Sequence, residues 1–498
     1  MIATFGVSLV VISVLGIVLW RLGVLRIASR IVDASMSGLS AMLDTELDDR
    51  SKEESLREAG IAVFLCSAKF VGVCMVALFA ALAIVYFAEL SGITSRHELL
   101  ALTLRVDYIV GVSAVAFFVV GATRRWTKSR TNSVDPQQNA DTISYSSVDK
   151  LFHMLAFASP TVLKAAANVE DRLCASSLKR IERNPPIFIS SLPRGGTTAL
   201  LNALSEVPGL ASHRYRDMPF ITAPSVWAKI SGGDRRVVVK RQRAHGDGME
   251  IDLNSAEAFD EIVWKLFWPQ KYDAGVIAKW TLDDRNDEGE KFFIRHMQRV
   301  VGSRSLSANS SSRASWRYLS KNNANIARLE FLPYVFEDCD IVIPIRRPDA
   351  HAFSLFTQHV NFSKVQAEDD FVRRYMRDIG HYDFGRLHQP IQFRDFDPQR
   401  YDRDTPDYWL AYWIAAFREI ASYADSVLIV PQDQLRAKPA EVMGELLTKL
   451  NLDVRAPDFR KFFRDSPDES RREEFSKGLM SEADAIYSQI DSFSITPS

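Results

Sequence analysis

The chain is poor in the residues that staple small folds. It has four cysteines, Cys66, Cys74, Cys174 and Cys339, and none stands at a metal-ligating or disulfide-framework spacing. A disulfide-rich secreted scaffold is excluded, and the pattern suits a reducing compartment. Charge of one sign is lacking as well: 61 Lys and Arg face 62 Asp and Glu, a net of −1. Nothing global points to nucleic acid as a partner. No internal repeat marks a solenoid. No basic segment precedes the first apolar run and no small-residue cleavage site follows it, so a cleaved signal peptide is not expected.

Long apolar runs are present. Residues 2–20 are almost wholly apolar, 61–90 form a second run broken only by Lys69, and 106–122 form a third. About 20 apolar residues cross a bilayer as a helix, so two or three spans are expected in a membrane region over 1–126. Arg21, Arg26 and Arg30 follow the first run; Arg124, Arg125, Lys128 and Arg130 follow the third. With three spans both groups fall on one side, and the positive-inside rule puts the remainder of the chain in the cytoplasm. With two spans that assignment lapses. Residues 33–58 between the first two runs are charged with helical i,i+4 pairs, a solvated face. Residues 127–147 are polar, and helical periodicity resumes at 148–183, giving a linker and helical segment over 127–184.

From 185 to 498 the pattern changes to strands alternating with helical stretches. Ile187–Ile189, Ile341–Ile345 and Val427–Val430 are the clearest strands. Such alternation predicts an α/β domain, a parallel sheet flanked by helices. The stretch 303–315, SRSLSANSSSRAS, reads as a mobile loop.

The most informative segment is PIFISSLPRGGTTALLNAL, residues 186–204. A buried strand, a glycine turn and a helix start make an anion cradle: glycines admit close backbone approach, and first-turn N–H groups point at the anion. Walker A requires GxxxxGK[ST], and no lysine precedes Thr197. The loop suits phosphate or sulfate but not the ordinary ATPase arrangement. A second signal is IVIPIRRPDAHAFS, residues 341–354. A strand ends at Arg346, and a helix beginning near Asp349 carries Ser354 in its second turn, both at the sheet's carboxyl edge. A guanidinium with a hydroxyl suits a terminal phosphate.

Taken together, PRGGTT before a helix, and a strand ending in R-x-P with Ser eight residues after the Arg, resemble the sulfotransferases that use 3′-phosphoadenosine 5′-phosphosulfate (PAPS). The loop Arg194 is similar to the tyrosylprotein sulfotransferase branch, as is Ser320-Lys321-Asn322 ahead of the strand. Residues 427–452 resemble the family's closing strand and helix, although Gln432-Asp433-Gln434-Leu435 departs from the usual Tyr-Glu-Asp-Leu. The resemblance covers roughly 185–455. It implies that Arg194, Gly195, Gly196, Thr197 and Thr198 hold the 5′-phosphosulfate and that Arg346 and Ser354 hold the 3′-phosphate. It also implies that Arg194 and Lys321 meet charge on the transferring group, and that no metal is needed.

The general base has no acid at its familial position, where Arg214 and Tyr215 stand. Nearby His213 and Asp217 are replacements, with Asp217 preferred, and His245 in the glycine-flexible cluster 243–250 is a second candidate. Aromatic clusters at 259–268 and 408–413 are core by their helical spacing, with a subset available to an acceptor pocket. The expected protein is an integral membrane sulfotransferase with a cytoplasmic catalytic domain. Its partners are the bilayer, a nucleotide donor, and a small-molecule, lipid or glycan acceptor bearing a hydroxyl or amine. The alternatives are a P-loop kinase or NTPase, and a catalytically inactive nucleotide-binding scaffold at the membrane.

Overall fold

A computed structural model describes residues 2–24, 27, 30–31, 34–35, 49–95, 97–98, 147–231, 241–242, 250–251, 253–307, 316–453, 457–463 and 469–496. The chain divides into two compact units, Met1–Leu151 and Phe152–Ser498.

In the first unit the apolar runs form helices α1 (Ile2–Arg21) and α2 (Asp49–Leu90). α2 begins in the charged stretch, as its i,i+4 pairs predict, and continues unbroken through the second apolar run. From Glu53 to Leu90 it is long and apolar enough to cross a membrane. Its large apolar side chains turn outward, with Phe64, Phe79 and Phe87 each more than 60% exposed. The third expected span, 106–122, lies outside the described residues, as does most of the linker.

The second unit is built on five parallel strands: β1 (Ile187–Ile189), β2 (Leu210–Ala211), β3 (Arg317–Lys321), β4 (Asp340–Ile345) and β5 (Leu428–Pro431). Their order is β2-β3-β1-β4-β5. β1 is buried on every residue because it lies centrally with helices on both faces. The chain leaves β1 toward β2 on one side, returns through β3, and then crosses to β4 on the other. This reversal makes the carboxyl ends of β1 and β4 a topological switch point, where open sheets of this kind bind ligands.

β3 was not legible as a strand, because Arg317, Ser320 and Lys321 interrupt its apolar character. The helical segment expected ahead of the domain packs into the domain's own core through Leu163 and Ile181, alongside Phe188 and Trp264. The expected serine-rich loop is partly helix. Residues 303–307 complete α3 (Asp287–Ser307), with Ser303, Arg304 and Ser305 buried, and 308–315 lie outside the described residues. Serine content misled there because burial, not composition, decided the structure.

Candidate functional site

The loop after β1 turns tightly, with the Gly195 N–H donating to the Leu192 carbonyl at 3.2 Å. Arg194 and Gly196 adopt left-handed φ values of 68° and 94°. That conformation is easy for glycine and costs roughly 1–2 kcal/mol for arginine, so the turn holds a strained cation at its tip. A Cβ on Gly195 would stand 2.9 Å from His351 Cε1 and 3.0 Å from the Leu192 carbonyl. Only glycine fits. Gly196 then caps α4 (Thr197–Ser205), whose first-turn N–H groups open toward the turn.

His351 braces this turn from α5 (Pro348–Glu368). The Trp413 indole N–H donates to its Nδ1 at 3.1 Å, so the ring proton sits on Nε2 and is donated to the Pro193 carbonyl at 2.8 Å. The imidazole is buried, and both of its nitrogens are used. Across the loop, the amide end of the Gln432 side chain packs over Gly196. The residue that departs from the familial pattern therefore covers the cradle.

The second signal arrives from β4. Val342 is in register with Ile189, so Arg346 extends past the sheet edge to the level of the turn. Its Nη1 donates to the Arg194 carbonyl at 3.2 Å, and Arg194 Nε donates to Ser354 Oγ at 3.1 Å. Arg194, Arg346 and Ser354 thus form one contiguous polar group. Strands about 4.8 Å apart make this convergence automatic once β1 and β4 are neighbours.

Lys321 ends β3 in register with Ile189, on the other side of β1, and is buried. The residues after it are held rigidly. The Asn322 N–H donates to the Ile189 carbonyl at 2.9 Å, and its side chain donates to Glu261 at 2.7 Å. Glu261 forms a bidentate pair with Arg328 at 2.8 and 2.9 Å, and Arg328 lies 4.0 Å over the Trp280 ring. Burial alone would raise the Glu261 carboxyl, but Arg328 outweighs it and keeps the group ionised. So anchored, Asn323 reaches the loop: its Oδ1 accepts from Thr197 Oγ1 at 3.4 Å.

The expected base is held in a buried ion pair. Asp217 is buried and pairs with Arg304 from α3, while it also accepts from His213 Nδ1 at 3.2 Å and from the Arg214 N–H at 2.9 Å. Burial would raise its carboxyl, but Arg304 and His213 outweigh that and hold it well below the usual carboxylate range. Such a carboxylate is a poor proton acceptor, because taking a proton would break a buried ion pair. His213 is turned inward too, with its Nε2 2.8 Å from His296 Nε2. His213, His296 and Asp260 bring ligand atoms within 4.8 Å of one another, the spacing for a metal ion. Hydrogen bonds already join the two imidazoles, and Tyr318 and Ser320 donate to Asp260. His245 lies outside the described residues.

Sequence reasoning missed His351, Asn323 and Gln432. His351 is three residues before Ser354, one helical turn away on the same face, which was a usable signal. Asn323 directly follows the Lys321-Asn322 pair.

The Sulfotransferase family profile matches residues 185–456, just over half of the chain. Among solved structures, a sulfotransferase from Mycobacterium avium is 14% identical, with 69% of this chain and 85% of that one covered and a TM-score of 0.39. One from Mycobacterium tuberculosis is 12% identical, covering 72% and 88%, with a TM-score of 0.32. The sulfotransferase domain of a Synechococcus olefin synthase is also 12% identical, covering 64% and 97%, with a TM-score of 0.25. A comparison with curated proteins found no match. On the family match, with a glycine turn opening a helix beside an arginine-tipped strand, the chain belongs to the sulfotransferase family.

Proposed function

We propose that this sulfotransferase takes its sulfuryl group from PAPS and passes it to a hydroxyl or amine of a membrane-near acceptor. The observation that carries the donor assignment is the contact of Arg346 and Ser354 with the Arg194 turn. A 5′-phosphosulfate needs a cradle of backbone N–H groups, and a 3′-phosphate needs a separate cation with a hydroxyl nearby. Both sit at one switch point, a nucleotide's length apart at most.

In this reading Gly195, Gly196, Thr197 and Thr198 cradle the phosphosulfate, and Arg346 and Ser354 bind the 3′-phosphate. Arg194 and Lys321 meet the charge that develops as the group transfers. Loose in-line transfer needs little beyond positioning and cations aimed at the charge. The rival NTPase reading would have to supply that charge without a Walker lysine.

Residues 1–126 would form the membrane region, 127–184 the linker and helical segment, and 185–498 the catalytic domain facing the cytoplasm. The outward apolar surface of α2 supports the anchor. Calorimetry on the full chain in detergent tests the donor. Binding of 3′-phosphoadenosine 5′-phosphate without binding of ATP is expected, and Arg346→Ala should abolish the preference. Equal affinity for the two nucleotides would overturn the PAPS reading.

A further inference from the structure

A narrow cleft adjoins the loop at Leu192, Pro193 and Asn323. Its far wall comes from 383–391 and from α6 (Pro406–Ala421), with Ile277 closing one side. The walls are chiefly carbon: Leu192, Ile277, Ile391, Trp409 and Tyr412. Its polar groups are contiguous. Asn323 Nδ2 donates to Asp383 Oδ2 at 3.4 Å, and His388 Nδ1 donates to the Asp383 carbonyl at 2.8 Å.

The lining residues His388 and Asp383 are ionisable, and they are not equivalent. His388 is committed, because its Nδ1 proton goes to Asp383 and its Nε2 accepts from Tyr408 at 2.9 Å. Burial and nearby His359 push it down to about 3, so it stays neutral. Asp383 instead has a side chain 22% exposed, with His381 3.6 Å away. It is also close to the chemistry: Asn323 touches Thr197 of the cradle with its oxygen and Asp383 with its nitrogen. One asparagine side chain separates the carboxylate from the loop. The cleft carries an unmet polar atom as well, since Gln389 Oε1 is buried without a hydrogen-bond partner. An acceptor in need of a donor points to a ligand that brings one.

We propose that Asp383 is the catalytic base of sulfuryl transfer, and that the cleft it lines takes a hydroxyl carried on an apolar body, a phenol or an aliphatic alcohol. The assignment rests on the PAPS reading above. The acceptor oxygen forms a bond to the donor sulfur as the bond from sulfur to the bridging phosphate oxygen breaks. The hydroxyl proton passes to Asp383 Oδ, and the electron pair of the broken bond stays on the phosphate, beside Lys321 and Arg194. The products are a sulfate ester and 3′-phosphoadenosine 5′-phosphate. Among the described residues, no other carboxylate lines this cleft. The chiefly carbon walls leave most of a sugar's several hydroxyl groups without a partner, and burying them unpaired is costly.

The test uses full-length protein in detergent with sulfur-labelled PAPS, 2-naphthol as the apolar probe and N-acetylglucosamine as the polar one. Wild type should label naphthol and leave the sugar unlabelled. Asp383→Asn should lower kcat by roughly 10²–10⁴, with calorimetric affinity for 3′-phosphoadenosine 5′-phosphate unchanged. Asp383→Glu should recover part of kcat and guards against a folding artefact. Nucleotide binding with kcat of Asp383→Asn within threefold of wild type would overturn the base. Labelling of the sugar, or of neither probe, would overturn the apolar acceptor. A wild type that binds no nucleotide would sink the donor reading instead.

Discussion

Two polar clusters of the α/β domain use the same residue types to opposite ends. At the sheet edge, Arg194 donates to a hydroxyl and Arg346 to a main-chain carbonyl, both neutral oxygens. Deeper in, Arg304 meets the Asp217 carboxylate and Arg328 meets Glu261. Those inner guanidinium groups are cancelled in place, and their partners are buried. The outer pair stands instead beside the glycine turn, at the carboxyl ends of β1 and β4. Guanidinium groups paired with buried carboxylates brace the interior, whereas those beside the glycine turn stand where open sheets of this kind bind ligands.

The contrast can be broken from either end. The largest effect is expected in the inner cluster. Arg304→Leu leaves Asp217 buried and unpaired, which should lower unfolding free energy by about 3–5 kcal/mol, while activity per folded molecule holds. Chemical denaturation checks this, and a loss below about 1 kcal/mol would erase the distinction. The pair also carries a pH signature. The folded Asp217 carboxyl is depressed, so its stabilisation is present above the unfolded value near pH 4 and is lost as pH falls toward the folded one. Arg304→Leu should flatten that acid slope.

In the outer cluster the effect should move to rate. Lys321→Met or Arg194→Gly should lower turnover by about 10²–10³. Arg194→Gly should do so while raising stability by up to about 1 kcal/mol, because glycine relieves the left-handed strain. Thermal melting and turnover measured on the same sample separate the two. A less stable Arg194→Gly would mean that the arginine is structural after all.

The smallest effect is expected at Gly196. Alanine there keeps φ at +94° and meets the movable end of Gln432, so about 1–2 kcal/mol of stability should be lost. Gly195→Ala should be worse, because a carbonyl and the doubly bonded His351 cannot give way. Equal melting points for the two alanine variants would undo that ranking.

Legibility followed the range of the interactions involved. The strand at 187–189, the turn at 192–196 and the helix bearing Ser354 were readable because neighbouring residues dictate them. β3 escaped, since a central strand with polar residues at its end alternates like neither a buried nor a half-buried one. Asp217 was chosen by its distance from the loop along the chain. Arg304, 87 residues away, holds it in a buried ion pair, and nothing near Asp217 forecasts that partner. Asp383 was passed over for the mirror reason, since its link to the loop runs through Asn323, 60 residues earlier.

By itself the sequence determined the anion cradle, its lack of a Walker lysine, the arginine and serine that join it, and the apolar runs at the N-terminus. Each is a property of contiguous backbone or of composition over one helix. Tertiary structure alone decided which carboxylate is spent in a buried ion pair and which faces the cleft. Proton affinity depends on dielectric and on neighbouring charge, and both are set by segments that meet only when the sheet is assembled.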